Sequence, residues 1–202
     1  MSNHRIFRLA PLFALAAMLG GCATSGVNLA NVTAPVAAYR DTIDLSGKLA
    51  VAYQKDGQPR NISGTYTWTQ RAGNIDVELF GPLHQTQAVI NVTPQSATLT
   101  LSDGKPRVAG DIDTLTTQAL GWTLPVSGLR NWLQGHATDA QGKPFTASPV
   151  NNKVVTNDGW RLHFVDWQKE SATPMPHQIK ADRSASATGD ALALTIIVDP
   201  AS

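Results

Sequence analysis

The sequence predicts a mainly β fold of the α+β class, built as a curved, incomplete antiparallel barrel of about 10–11 strands under a lid of short helices. Most of the chain alternates apolar and polar residues with a period of two, which is typical of half-buried antiparallel strands. Turn signals separate these stretches, drawing on 16 glycines and 12 prolines. Helical segments occur only at the front and in the middle, so helices do not alternate with strands as they do in βαβ folds.

The charge balance argues against a nucleic-acid partner. The 202 residues include 16 Lys+Arg and 15 Asp+Glu, a formal net charge of +1, and no basic patch stands out. Apolar residues make up 42% of the chain and charged residues 15%, which is enough for a sizeable core in one domain. The sole cysteine, Cys22, cannot form an intramolecular disulfide.

Residues 1–21 have the pattern of a secretory signal peptide. Arg5 and Arg8 precede an apolar run, residues 9–19, that is shorter than the roughly 20 apolar residues of a membrane-spanning helix. The run ends in Leu19-Gly20-Gly21-Cys22, which resembles a bacterial lipobox. Lipidation of Cys22 is therefore predicted, and an ordinary signal peptide with an incidental cysteine is the alternative.

The predicted lipid on Cys22 sets the expected location. Several acyl chains anchor a protein firmly, whereas one chain alone gives marginal membrane binding. Residues 22–32 are small and polar and are interpreted as a tether. Ala23, rather than aspartate, follows the cysteine. The chain thus resembles lipoproteins sorted to the outer membrane of Gram-negative bacteria, and we expect it on the periplasmic face of that membrane.

Residues 33–202 are predicted to form one domain that begins with a helix. Thr33 suits an N-cap, and Pro35 is tolerated in a first helical turn. Alternating strands follow up to about residue 101, and their apolar residues share one face with those of the last strand. The expected members of this face are Leu49, Val51, Ile62, Tyr66, Trp68, Val77, Leu79, Leu99 and Leu194.

The alternation stops at Asp111, where two short helices are predicted. Asp111 or Asp113 can begin the first helix and Gly121 can end it, while the second runs from near Pro125 to Gly135. A cation site at Asp111-x-Asp113 is the alternative to a capping role. We expect these helices to cover the sheet as a lid, because they are more apolar than a surface insertion requires. The lid residues are Leu115, Leu120, Trp122, Leu124, Leu129, Trp132 and Leu133.

Strands are predicted to resume near the C-terminus. The turn Asn157-Asp158-Gly159 joins residues 154–156 to residues 160–167 as a hairpin. Asp166 lies between apolar residues of that strand and is interpreted as facing outward. Residues 177–182 and 192–198 are expected to be the closing strands, with a flexible connection between them.

The shared apolar face allows two interpretations. It can be the filled core of a closed domain, or it can line the acyl-chain cavity of an open barrel. Composition alone favours the filled core. The strongly apolar helices favour the cavity, because such helices must cover something.

No motif in the sequence predicts catalysis. There is no P-loop, nucleophile elbow or glycine-rich dinucleotide turn, and the histidines are not at metal-ligand spacing. We therefore expect no metal, no cofactor and no enzymatic activity. A periplasmic esterase or glycan-modifying enzyme stays an alternative, because catalytic triads are assembled in space rather than along the chain.

One turn carries an unexpected apolar residue. Gly81-Pro82 marks a chain reversal, and Leu83 follows at its tip, where a polar residue is usual. Because turns run over the surface, a leucine there is expected to be exposed.

Residues 120–135, LGWTLPVSGLRNWLQG, resemble the signature segment of the LolB family of outer-membrane lipoprotein receptors. The lipobox, the Pro82-Leu83 turn and PMPHQIKA at residues 174–181 agree with that family in the same order. The resemblance covers essentially the whole chain after Cys22. One departure is His84, because the family commonly has glycine there, and glycine enters left-handed conformations more easily.

The resemblance implies an incomplete antiparallel β-barrel with an α-helical lid, like the periplasmic carrier LolA. It implies a monomer that receives acylated lipoproteins from LolA and inserts them into outer-membrane lipid without a nucleotide. Pro82 and Leu83 would form the membrane-insertion loop. The alternative is a structural or assembly lipoprotein of the outer membrane, with a filled core and protein partners only.

Overall fold

The computed structural model describes residues 33–55, 57–169, 173–185 and 191–200. The predicted signal peptide, Cys22 and the tether lie outside these ranges. The described elements follow in chain order: β1 (Ile43–Lys55), β2 (Gln58–Arg71), β3 (Asn74–Phe80), β4 (Thr86–Val92), β5 (Ala97–Leu101), β6 (Pro106–Ala109), α1 (Ile112–Leu120), α2 (Val126–Trp132), β7 (His136–Thr138), β8 (Pro144–Thr146), β9 (Lys153–Val155), β10 (Arg161–Trp167), β11 (Pro176–Arg183) and β12 (Leu192–Val198).

Ten strands form one curved antiparallel sheet in the order β6-β5-β4-β3-β2-β1-β12-β11-β10-β9. The outer strands β6 and β9 do not pair with each other, so the sheet does not close. The predicted incomplete antiparallel barrel is therefore confirmed. A separate hairpin of β7 and β8, with three residues in each strand, was not predicted, because three residues are too few to establish a period.

The predicted alternation is confirmed along β1, where Leu45 and Val51 are buried and Ser46 and Lys48 are exposed. Register extends this inner face across the neighbouring strands, because residues paired across an antiparallel sheet point to the same side. One row joins Gly64, Leu49, Ile196 and Ile179 across β2, β1, β12 and β11. The next row joins Ile62, Val51, Leu194 and Ala181. The outward position predicted for Asp166 is also confirmed.

The helix predicted at the front of the chain is wrong. Residues 33–40, which we call the N-terminal strap, contain no helix. The Val36 amide donates to the Ala147 carbonyl oxygen at 2.9 Å, and the Arg40 amide donates to Oε1 of Gln134 at 3.0 Å. Gln134 returns a bond from Nε2 to the Arg40 carbonyl at 3.0 Å. These tertiary bonds take the backbone groups that a helix would have paired within itself.

The two central helices begin and end close to the predicted residues. The Asp111 carboxylate accepts from the Thr114 amide at 2.7 Å, and Gly121 ends α1 with a φ of +80°. Asp113 accepts from the amide of Ser127 at 3.2 Å and from its hydroxyl, which ties α1 to the start of α2. The capping role of Asp111 is therefore confirmed. Within the described residues, no helix is long and apolar enough to cross a membrane.

Candidate functional site

A gap in the sheet arises because β2 is longer than β3. The last residue pair between them is Thr65 with Phe80, so residues 58–64 of β2 pair only with β1. At this limit the chains come very close, since a Cβ on Gly64 would lie 2.0 Å from the Phe80 carbonyl oxygen. We call this end of the sheet, with the β1–β2 turn and the loop of residues 81–85, the open end.

A cavity of about 640 Å³ lies in this gap and extends over the inner face. This volume lies within the range of roughly 300–1,000 Å³ that is usual for small-molecule sites. Among the described residues, no ionisable side chain lines it. The lining residues are Leu49, Val51, Asn61, Ile62, Ser63, Gly64, Thr65, Leu79, Phe80, Gly81, Pro82, Gln85, Gln87, Ala88, Leu101, Ser102, Leu120 and Trp122. Such a site suits an uncharged, largely apolar ligand.

The structure divides the predicted cavity residues into three groups. Leu49, Val51, Ile62 and Leu79 line the cavity, together with Leu120 and Trp122 of the predicted lid. A separate void of about 20 Å³ under α2 is lined by Leu49, Tyr66, Trp68, Val77, Leu79, Leu124, Leu129, Leu133 and Ile196. Leu99 and Leu194 line neither space and are buried in the core, as are the lid residues Leu115 and Trp132.

The covered half of the inner face is the part that packs against α2. Leu129 and Trp132 are both buried, which confirms that they share one face of the helix. The Trp132 ring meets the Trp160 ring edge-on, with 5.6 Å between centroids. Leu49 and Leu79 line both spaces, so the small void lies next to the cavity on the inner face.

A buried polar network holds the end of α2 to the sheet. Nε2 of the fully buried Gln70 donates to the Tyr39 hydroxyl at 2.6 Å, and Nε of Arg130 donates to the same oxygen at 3.0 Å. Tyr39 belongs to the N-terminal strap, so the strap links β2 with α2. None of these residues was singled out in the sequence, because a network across three distant segments leaves no local pattern.

Sequence reasoning missed several lining residues. Leu101 continues the inner alternation of Leu99, so this signal was available in β5. Phe80 follows the inward-facing Leu79, so strict alternation would point it outward. A shift in the pairing register between Leu79 and Phe80 breaks the alternation there. Gln85 lies in the loop and has no period to indicate its position, while Gln87 is an exposed residue of β4 beside the buried Ala88.

The loop of residues 81–85 borders the cavity and presents Leu83 to solvent. Leu83 is 88% exposed, while its neighbour Pro82 lines the cavity. The Gly81 amide donates to the Gln85 carbonyl and the His84 amide donates to the Gly81 carbonyl, each at 2.9 Å. His84 has a left-handed φ of +60°, and its ring stacks on Phe80 with 4.7 Å between centroids. This stacking stabilises the left-handed backbone conformation, which is higher in free energy for histidine than for glycine.

Two titratable groups beside the helices have shifted pKa values. Burial, and secondarily the negative charge of Asp199, raises the pKa of Tyr66, whose hydroxyl donates to the Ile197 carbonyl at 3.1 Å. Burial also raises the pKa of Asp113, against the opposing effect of its bonds from Ser127. Tyr66 is therefore neutral at physiological pH, and ionised Asp113 carries a desolvation cost.

Histidine side chains in the described ranges support the backbone. A ring nitrogen of His136 donates to the Ala37 carbonyl at 2.9 Å, and one of His177 donates to the Val198 carbonyl at 2.9 Å. These two rings anchor the N-terminal strap and the end of β12. No serine or carboxylate bonds to a histidine ring among the residues that the structure describes.

Comparison with known proteins relates this chain to one family. A family model described as outer membrane lipoprotein LolB matches residues 41–200. The outer-membrane lipoprotein LolB of Cupriavidus necator is 35% identical over 158 residues, covering 77% of this chain and 78% of that one. The LolB of Thiobacillus denitrificans is 32% identical over 179 residues, covering 88% and 91%. The crystal structure of a LolA superfamily protein from Nitrosomonas europaea aligns with 80% of this chain and 86% of that chain, at 6% identity and a TM-score of 0.47.

Proposed function

The chain belongs to the LolB family of outer-membrane lipoproteins, and from that premise we propose that it receives acylated lipoproteins from the periplasmic carrier LolA and inserts them into the outer membrane. One observation carries the proposal. An uncharged cavity of about 640 Å³ opens at the same end of the sheet as the exposed Leu83. A structural lipoprotein with a filled core would need no such cavity.

The free energy of hydration explains why such a cavity is needed. Burying a CH₂ group is worth roughly 0.8 kcal/mol, so an acyl chain of about sixteen carbons represents roughly 12 kcal/mol. Release of that acyl chain into water between carrier and membrane would cost the same roughly 12 kcal/mol. Passage therefore requires a continuous apolar path. The gap beside β2 offers one that leads from the open end to Leu49 on the inner face.

The two helices act as the lid in this proposal. The void under α2 shares Leu49 and Leu79 with the cavity, so outward movement of α2 would join the two spaces. The apolar contacts that α2 would leave are chiefly those of Leu129 and Leu133 with the sheet, and an acyl chain can replace them. The bond from Arg130 of α2 to the Tyr39 hydroxyl would have to break or move with the helix.

Leu83 acts at insertion, where it contacts the lipid surface. Its side chain makes little contribution to the fold, because 88% of it is exposed. Contact with a membrane buries it, and full burial of a leucine is worth roughly 1.5–3 kcal/mol, or a factor of about ten to one hundred and fifty in an equilibrium constant. The adjoining Pro82 lines the cavity, so membrane contact places the cavity opening next to lipid.

Leu83→Glu tests this function in a two-step transfer assay. A labelled lipoprotein is first passed from LolA to the purified protein and is then passed to liposomes. We expect uptake from LolA and the melting temperature to stay unchanged, and delivery into liposomes to fall about tenfold or more. The matched control is Val150→Glu, because Val150 is likewise an exposed aliphatic residue in a turn, 66% accessible, and does not line the cavity.

Each outcome of the assay has a defined meaning. Normal delivery by Leu83→Glu would show that the membrane contact lies elsewhere. Equal loss of delivery in Val150→Glu would show that an added negative charge is harmful wherever it is placed. Failure of the wild-type protein to take a lipoprotein from LolA would refute the proposed function itself.

A further inference from the structure

The inner face changes from apolar to basic at its last row. Register joins Arg60, Tyr53, Leu192 and Arg183 across β2, β1, β12 and β11. This row lies directly beyond the apolar row of Ile62, Val51, Leu194 and Ala181, toward the open end. The two arginines therefore stand at opposite ends of a row that lies about 7 Å beyond the last apolar row, next to the cavity.

Neither arginine is neutralised within the described part of the chain. Arg60 is exposed and forms no ion pair or hydrogen bond there. The Arg183 guanidinium lies 4.8 Å from the centroid of the Trp160 ring and donates to Oγ1 of Thr123 at 3.3 Å. Both of these partners are uncharged. Asp182 also lines the cleft described below, where its carboxylate is already paired with Arg161.

These side chains line a cleft of about 500 Å³ that adjoins the cavity. Tyr53, Arg60, Arg183 and Leu192 all belong to the cleft. Asn61 lines both spaces, so the polar cleft and the apolar cavity meet at that residue. Tyr53 also touches Trp122, with ring centroids 6.1 Å apart. The combined site is amphipathic, with an uncharged apolar part and a basic part at the open end.

We propose that this arginine row binds the phosphate of a phospholipid whose acyl chain occupies the cavity. The inference rests on the proposed function, because it requires the cavity to accept an acyl chain. Arginine guanidinium groups bind phosphate through charge-assisted, often bidentate hydrogen bonds. The acyl and glyceryl groups of a lipoprotein carry no phosphate, so two unpaired arginines beside the cavity fit a membrane phospholipid better. Bound phospholipid would occupy the site before cargo arrives and would be exchanged for it.

Binding of two matched fluorescent lipids tests the proposal. One probe is phosphatidylglycerol with a short, labelled acyl chain, and the other is diacylglycerol with the same chains and no phosphate. We expect the wild-type protein to bind phosphatidylglycerol about tenfold more tightly. Arg60→Gln, alone and combined with Arg183→Gln, should remove this preference without changing the affinity for diacylglycerol. Arg60→Lys should keep part of it.

A control variant and a competitor sharpen the result. Lys48→Gln removes a positive charge from the outer face of β1 and should keep the full preference. Because Arg183 packs on Trp160, the single variant Arg60→Gln gives the primary result, and melting temperatures are compared for all variants. Excess inorganic phosphate should weaken only phosphatidylglycerol binding.

The outcomes separate this inference from the proposed function. Equal wild-type affinity for the two lipids would overturn the phosphate site and leave the acyl-chain cavity intact. Binding of inorganic phosphate without any preference for phosphatidylglycerol would also overturn it, because the arginines would then hold a free anion only. Binding of neither lipid would mean that the cavity takes no acyl chain, and the proposed function would fail as well.

Discussion

The covered half and the open end of the inner face are built from the same strands but differ in how they are filled. Under α2, Tyr66, Trp68 and Val77 are buried, and only about 20 Å³ is empty. At the open end, Val51 and Ile62 line the cavity of about 640 Å³. Both regions show the same alternation of apolar and polar residues. The pattern thus identifies the inner face without indicating which part of it is a core and which part is a cavity.

The difference between the two regions comes from their partners. Leu129 and Leu133 of the α2 region pack on the covered half, and the network of Gln70, Tyr39 and Arg130 holds the helix there. Among the described residues, none of α2 lines the cavity at the open end, where Leu120 and Trp122 contribute to its wall and β3 ends at Phe80 while β2 continues. Empty volume next to apolar side chains removes dispersion contacts, so the open end contributes less to stability. Mutations in the covered half and at the open end should therefore differ in their effect on the free energy of unfolding.

The largest expected effect is that of Leu133→Ala in the covered half. Leu133 is 2% exposed and lines the small void, so its truncation should leave a larger cavity. We expect the free energy of unfolding to fall by about 2–5 kcal/mol, measured by denaturant titration. A loss below about 1 kcal/mol would mean that α2 packs loosely and that the two halves do not differ in this way.

A smaller effect is expected from Ile62→Ala at the open end. Ile62 is 44% exposed and faces a cavity that already exists, so truncation creates no new void. The free energy of unfolding should fall by about 1 kcal/mol. Affinity for a fluorescent fatty acid should fall with it, because the variant loses part of the cavity wall. A stability loss equal to that of Leu133→Ala would show that the open end is a core like the other half.

The smallest effect concerns the junction between the two helices. Because burial raises the pKa of Asp113, the folded state binds its proton more tightly than the unfolded state does. The stability of the wild-type protein relative to Asp113→Asn should therefore rise as the pH falls from 7 through that raised pKa, and the rise should be complete below the unfolded value of 3.8.

Denaturant titrations of both proteins between pH 7 and pH 3.5 would measure this change. Loss of stability from Asp44 and Asp103, whose pKa values are lowered by hydrogen bonds, occurs in both proteins and cancels in the difference. The neighbouring Asp111 raises the pKa of Asp113 through its charge, so the difference reports on the two carboxylates together. A relative stability that does not change with pH would show that Asp113 is well solvated, and that the contact between α1 and α2 is open to water.

Local features of the fold could be predicted because their causes lie within a few residues. The alternation of β1 reflects one solvent-exposed and one buried face. The start and end of α1 follow from the carboxylate of Asp111 and the left-handed conformation of Gly121. The β9–β10 hairpin was likewise indicated by Asn157-Asp158-Gly159. The exposure of Leu83 followed from its place after Gly81-Pro82.

By itself, then, the sequence determined the curved antiparallel sheet, the two capped helices and the apolar loop, because short-range hydrogen bonding and solvent contact dictate each of them. Tertiary structure alone decided three other features. Residues 33–40 form a strap because their backbone groups bond to distant partners such as Ala147 and Gln134. The cavity exists because β2 extends beyond its last residue pair with β3. Arg60 and Arg183 share a row because the sheet brings β2 and β11 to either side of β1 and β12, and no period along the chain relates residues so far apart.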